Sequence, residues 1–334
     1  MRSVLCNSRL GAFLLLIALG VSPAIVEKAC AGVVTFGSGA NQFQMEFVTI
    51  GNPGNAADTT GSPNPAGAVG YEFGIGKFEV SEGMIEKYNA NFGTANSLEI
   101  TKDTRGVAKP ATSVSWNEAA RFVNWLNTST GGFAAYNFTS GGVNDNIAIW
   151  TAADTLDYDP ANPYRSKRAT YVLPNYDEWY KAAYYSPGGI YYDYATGSNT
   201  VPTAVASGTA DGTAVYNAQT GPADVDQAGG LSPYGVMGLG GNVSEWEETS
   251  FDFANSSGSS IRARRGGNWS TNSSSMSSSS RGFVGFAPNL ESNGTGFRVA
   301  SLPSSAPPVP EPSMMLIGAV FGLGGLAAKR RKRK

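Results

Sequence analysis

Residues Arg265–Arg281 read RGGNWSTNSSSMSSSSR, and no other stretch comes as close to announcing both an architecture and a chemistry. Gly266 and Gly267 beside Asn268-Trp269 give a backbone that can turn sharply and lie close to other chain. A serine-rich run, Ser270–Ser280, then extends to the next charge at Arg281. The stretch holds no cysteine and no histidine, so it reads either as an active-site loop or as a folded loop alone.

Moving outward, Glu245, Glu247 and Glu248 put three acids within four positions shortly upstream. That spacing suits an oxygen-ligated metal or carboxylate site, and equally a solvated surface. The stretch from Gly32 to Gly51 has strand character, with Phe43, Met45 and Phe47 alternating, and Tyr71–Val80 reads as a second strand. Ser81 caps a helix to about Tyr88. Ser115 and Glu118 form a capping box, opening a helix that carries Trp116, Ala119, Ala120, Val123 and Leu126 on one face. A third helix begins near Asn175, with Glu178 three residues on and Trp179, Ala182 and Ala183 facing inward. The loop from Asn52 to Gly70 contains Asp58 among turn formers, and its oxygens read as plain turns before they read as a calcium site. Residues Asn127–Arg168 form an insertion-like, acid-bearing stretch. Five tyrosines fall between Tyr184 and Tyr194, a patch that suits a half-buried sheet edge or stacking on a sugar. Three short helices among many strands and loops, with 42 glycines and 18 prolines, predict an α+β, loop-rich chain.

The 334 residues carry a formal charge of −2, which hides an asymmetry. Without Arg2, Arg9, Lys28 and Glu27 at the start, and Glu311 and Lys329–Lys334 at the end, 15 basic and 24 acidic side chains remain, a net of −9. An acidic body of this kind repels phosphates, so nucleic acid is not an expected partner. Residues 1–31 show a basic start, an apolar run from Leu10 to Val21 and Ala29-Cys30-Ala31 before Gly32, the order of a secretory signal peptide; lipid attachment at Cys30 is the lesser option. Both cysteines, Cys6 and Cys30, fall there, and the chain has no histidine. The predicted mature protein therefore has no disulfide, no thiolate nucleophile, no Cys or His metal site and no Ser-His-Asp triad. At the other end, residues 303–312 read as a Pro/Ser linker ending in Val309-Pro310-Glu311-Pro312. Residues 313–334 read as an apolar helix with a basic tail, a short membrane span whose Lys/Arg cluster can snorkel.

Six phrases occur in an order that resembles the formylglycine-generating enzyme (sulfatase-modifying factor) family. They are IGKFEVS (Ile75–Ser81), PATSVSW (Pro110–Trp116), YVLP (Tyr171–Pro174) with Glu178-Trp179, YGVMGLGGNVSEW (Tyr234–Trp246), RGGNW (Arg265–Trp269) and GFRV (Gly296–Val299). The likeness runs from about Phe47 to Ala300. It implies that residues 32–302 form one domain with that family's irregular variant of the C-type lectin-like fold. Working members oxidise a sulfatase cysteine to formylglycine with two cysteines that hold copper(I); those positions fall at Thr271 and Met276, which supply no thiolate, so copper is not expected. Iron-dependent relatives use histidines that this chain lacks. The family's calcium loop maps onto Gly241, Val243 and Glu245, while a side-chain oxygen expected three residues earlier is lost at Gly238; calcium is therefore left open. The C-terminal order of Val-Pro-Glu-Pro, apolar helix and basic cluster resembles the PEP-CTERM sorting signal, which implies an exosortase-type processing enzyme as partner.

The sequence thus predicts an exported, non-catalytic binding or structural module of the cell envelope or extracellular matrix, transiently membrane-anchored at its C-terminus. Its expected partners are an extracellular polysaccharide or an envelope protein. Two alternatives stay open: an enzyme built on Glu245, Glu247 and Glu248, and a lectin-like surface protein contacting ligands through Ser270–Ser280, Asn127–Arg168 and the tyrosine patch. Fold alone does not choose among them.

Overall fold

A computed structural model describes residues 32–61, 63–281 and 285–303. The predicted signal peptide (1–31), the linker beyond Pro303 and the predicted C-terminal span (313–334) lie outside the described residues. Among the described residues no helix is long and apolar enough to cross a membrane.

The first predicted strand is in fact a hairpin. β1 (Gly32–Phe36) and β2 (Phe43–Ile50) pair antiparallel, from Gly32 opposite Phe47 to Phe36 opposite Phe43. The break comes at Gly37 and Gly39, whose φ angles of +81° and +53° reverse the chain where an L side chain would be strained. The second predicted strand is also shorter than its pattern. β3 covers Phe73–Gly76, after which Lys77 N donates to Glu46 O and Val80 N to Phe297 O, so Lys77–Val80 crosses between partners. With β4 (Tyr171–Val172) and β10 (Ala300–Ser301) these make a five-stranded antiparallel sheet in the order β1-β2-β3-β10-β4.

The three predicted helices are present with the predicted caps. In α1 (Glu82–Tyr88) the Ser81 side chain accepts from Met84 N. In α2 (Trp116–Ser129) and α3 (Tyr176–Tyr184) the caps are Ser115 and Asn175, closed by Glu118 and Glu178 as full capping boxes. The sequence predicts one buried face for α2, but nearly the whole helix is covered: Arg121, Phe122, Trp125 and Asn127 are buried beside the predicted face. The sheet packs on one side and the 132–168 segment on the other. Asn127 joins α2 to the sheet at β4, donating to Tyr171 O at 2.7 Å and accepting from Thr170 N and Tyr171 N at 2.9 Å each.

Beyond α3, β5 (Thr203–Ala204) and β6 (Thr213–Ala214) form a small parallel ribbon. A second sheet has the order β8-β7-β9, with β7 (Ser244–Ser250) between β8 (Arg262–Arg265) and β9 (Thr295–Gly296). Every residue of β7 is buried, although its sequence is SEWEETS. This polar strand through the centre of the molecule sets up the candidate site.

Candidate functional site

An ionised carboxylate buried without a partner would cost several kcal/mol, so the three acids of β7 require cations. The fold supplies one or two to each. Glu245 meets Arg298 through two hydrogen bonds of 2.6 and 2.5 Å and also accepts from Trp179 Nε1 at 2.7 Å. Arg298 spends its other donors on Gly76 O and Met237 O. Glu247 lies between Arg265, at 2.8 Å, and Arg281, at 3.0 Å. Glu248 accepts from Tyr136 Oη at 2.9 Å and Asn162 Nδ2 at 2.5 Å, with Arg165 at 3.6 Å. The same Arg165 holds Glu178, the cap residue of α3, at 2.8 Å. Burial disfavours the Glu178 carboxylate, yet Arg165 and the hydroxyl of Tyr71 outweigh it and hold its pKa below the usual value.

The reading of Glu245, Glu247 and Glu248 as a surface triad or as a carboxylate site is thereby corrected. All three are fully buried, and each faces a different arginine set, so they do not converge on a shared ligand. Among the described residues no group of three or more carboxylates could hold a metal ion.

Glu247 also explains the stretch Arg265–Arg281. Its two terminal arginines close on this one carboxylate, so the intervening residues form a loop pinned at both ends. Arg281 further donates to Phe251 O and Ser250 O, and Arg265 to Ser280 O. Inside the loop Gly266 and Gly267 have φ of +91° and +67°. A Cβ on Gly267 would come 2.8 Å from Thr271 Oγ1 and 3.2 Å from Met276 Cγ. The two positions that the resemblance assigns to copper thus flank the same glycine.

Neither residue suits copper(I). Thr271 Oγ1 accepts from Asn268 N and donates to Asn268 O, both at 2.9 Å, so it closes a turn. Met276 is 1% exposed and packs with Ala214 and Tyr216, and Tyr184 Oη donates to its carbonyl at 3.0 Å. A hydroxyl locked in a turn and one thioether in an apolar pocket are a poor donor set for a thiophilic ion.

The predicted calcium loop is similarly committed. Gly241 N donates to Gly266 O, Asn242 N to Val215 O, and the Asn242 side chain joins Ala223 N to Glu79. Val243 sits in a small apolar cluster with Val215 and Trp269. With both oxygens of Glu245 taken by Arg298 and Trp179, the residues at Gly241, Val243 and Glu245 do not fit a calcium ion. Glu79, which sequence reasoning passed over as a strand residue, occupies the space opened at Gly238: a Cβ there would come 2.8 Å from its carboxyl carbon. Burial, with the charge of Glu245 adding to it, pushes the Glu79 pKa up to about 8. Its Oε2 has no partner among the described residues. The one sequence signal was its place in Ile75–Ser81, where a charge interrupts an apolar run.

The tyrosine patch is not an open platform: Tyr191, Tyr192 and Tyr194 are half-buried, and single antiparallel bridges join Tyr185 to Tyr191 and Tyr194 to Ser198. Tyr184 and Tyr185 are buried at the end of α3, and Tyr180, Tyr184, Tyr185 and Tyr191 pack edge-on or tilted against one another with centroids 4.7–5.8 Å apart. Their hydroxyls tie down the 52–70 loop: Tyr180 donates to Asp58 at 2.6 Å and Tyr191 to Gly67 O at 2.9 Å. Asp58 also accepts from Thr60 N and Oγ1, the plain turn that its neighbours predict.

A family model described as the sulfatase-modifying factor enzyme 1-like domain matches residues 27–302. No curated protein matches the chain in sequence. Among solved structures, the chain is similar to Treponema denticola variable protein 1, with 19% identity and a TM-score of 0.53 over 81% of this chain and 98% of that one. It is also similar to CarF, with 19% identity and a TM-score of 0.54 over 77% of this chain and 98% of that one. At such identity the likeness speaks for the fold alone. The architecture is accordingly the α+β, loop-rich variant of the C-type lectin-like fold that the six phrases imply.

Proposed function

Because the chain belongs to the sulfatase-modifying factor enzyme 1-like family, we propose that it keeps that family's fold as an exported, non-catalytic binding module for polysaccharide of the cell envelope or extracellular matrix. The observation that carries this reading is the pair Thr271 and Met276, which flank one glycine and supply a turn-closing hydroxyl and a buried thioether in place of thiolates. The residues that frame the pair are committed to structure: Arg265 and Arg281 to Glu247, and Glu245 to Arg298.

Export and anchoring rest on the pattern of residues 1–31, 303–312 and 313–334, with an exosortase-type enzyme as the processing partner. The net charge of −9 between the two terminal segments favours neutral partners over anionic ones. The test of the catalytic part is direct. The purified full chain, loaded with copper(I), is incubated with a cysteine-containing sulfatase peptide and the peptide is followed by mass spectrometry. No aldehyde should form; its appearance would overturn the non-catalytic reading.

A further inference from the structure

The 132–168 segment does more than cover α2. Between it, α2 and the turn after α1 lies a cleft of about 310 Å³, lined by Phe92, Trp125, Phe138 and Trp150 together with Asn137 and Thr128. We propose that this cleft binds one neutral pyranose ring of a polysaccharide; the proposal rests on the binding-module reading above and gives it a location.

Three observations on the cleft point to that chemistry. The first is an unmet donor. The indole N–H groups of Trp116, Trp150, Trp179 and Trp246 donate to Glu247 O, Ala135 O, Glu245 Oε2 and Val114 O. Trp125, only 5% exposed, makes ring contacts with Phe43, Tyr88 and Phe122; its N–H, like that of Trp269 away from the cleft, has no acceptor among the described residues. Trp125 lines the cleft and its N–H is not among the buried side-chain atoms left without a partner, so it is open to a ligand, and a sugar hydroxyl at the cleft would be an acceptor for it.

The second is the aromatic wall. Phe138 and Trp150 are half-buried, and both are fixed in place. The Arg121 guanidinium lies 3.7 Å from the Phe138 ring centroid while bonding Ser140 O at 2.8 Å and Gly142 O at 2.7 Å. Trp150 is anchored by its own N–H to Ala135 O at 3.0 Å. Rings held rigidly beside a cleft offer apolar faces to the C–H groups of a pyranose at little entropic cost.

The third is charge. No carboxylate and no lysine lines the cleft; its one cation, Arg121, places Nη2 on two carbonyls and its guanidinium over the Phe138 ring, while its Nε is buried without a partner among the described residues. A cationic ligand would find no counter-charge, whereas a neutral polyol would find aromatic faces, the Arg121 and Trp125 donors and the half-buried Asn137 amide. A few convergent polar groups in a mostly apolar cleft are the usual composition of a small-ligand site.

The test uses the purified full chain and four probes, cellohexaose, laminarihexaose, maltohexaose and the polyuronate alginate, followed by calorimetry and by tryptophan fluorescence. At least one neutral hexaose should bind and shift the emission. Trp150→Ala should weaken binding about tenfold or more, and Trp125→Phe, which keeps a ring and deletes the N–H, by about fivefold. Asn137→Ala, at a side chain with no bond to break, should weaken it severalfold with the melting temperature unchanged, which guards against misfolding as the cause. A hexaose bound equally by all three variants would place the sugar elsewhere, leaving the polysaccharide reading intact and overturning this site. Binding of alginate alone would overturn the neutral-ligand assignment. Failure of every probe would overturn both, as would binding only of a peptide spanning Leu302–Pro312, which would make the cleft a seat for the chain's own proline-rich tail.

Discussion

Strand β7 and the loop after β8 touch through Glu247, yet they are built to opposite rules. In β7 three buried acids meet buried arginines, and each ion pair is completed by further hydrogen bonds. Removing one partner there would strand a charge. In the loop the backbone is held as tightly, by two positive-φ glycines and two arginine anchors, but the side chains at 271 and 276 carry out only packing and turn closure. The difference teaches that frame and chemistry separate in this fold. The frame is maintained by charges that cannot be lost singly, whereas the reactive positions can change at small cost because neither bears a buried charge.

Three changes would break or sharpen that contrast. The largest effect is expected from Arg298→Ala, which leaves Glu245 buried without its cation and frees Gly76 O and Met237 O. A loss of about 3–5 kcal/mol is expected, read as a lowered denaturant midpoint. A loss below about 1 kcal/mol would mean that β7 tolerates single charge removal after all.

Next comes Gly267→Ala. It places a methyl 2.8 Å from Thr271 Oγ1 and 3.2 Å from Met276 Cγ at a φ of +67°. The positive φ and the overpacking together should cost about 2–3 kcal/mol. The double variant Gly267→Ala with Thr271→Ala should recover part of that loss, because the closest contact is to the Thr271 hydroxyl. A cycle showing no coupling would separate the two positions that the structure brings together.

The smallest effect at any one pH step, read as a slope, concerns Glu79→Gln. The folded-state pKa of Glu79 is raised from its ordinary 4.5 to about 8 by burial and by the charge of Glu245, with Arg298 opposing. Between those values the folded chain holds a proton that the unfolded chain releases, so stability falls as pH rises through the window and levels off above it. A neutral amide at this position takes up no such proton. The variant should therefore flatten the decline by about 1 kcal/mol per pH unit between pH 5 and 8, measured as denaturant midpoints across that range. Burial also raises Glu118, to about 7, so a residual slope of the same sign should remain. An unchanged slope in the variant would show that Glu79 is not the group responsible.

Local signals were the most legible. Ser115 with Glu118 and Asn175 with Glu178 marked helix starts to the residue, because a capping box is made by atoms within four positions of one another. The six phrases placed the chain in its family and hence in its fold. The site was legible only in outline. Thr271 and Met276 could be named from the spacing after Arg265, but that both flank Gly267 needed coordinates. How the tyrosine patch is held was not legible, because five rings in eleven positions say nothing about the 52–70 loop to which Tyr180 and Tyr191 bond. Residues 245–248 looked solvated because their arginines lie 18 to 83 positions away in sequence.

By itself, then, the sequence determined the helix caps, the turn glycines, the family and the absence of thiol and imidazole after Cys30, since each depends on residue identity or on contacts a few positions apart. Only the tertiary structure decided which charges are buried, which aromatics are core and which line a cleft. Burial is set by what distant segments lay over a residue: Arg298 over Glu245, Tyr180 over Asp58, and the 132–168 segment beside Trp125 at the cleft.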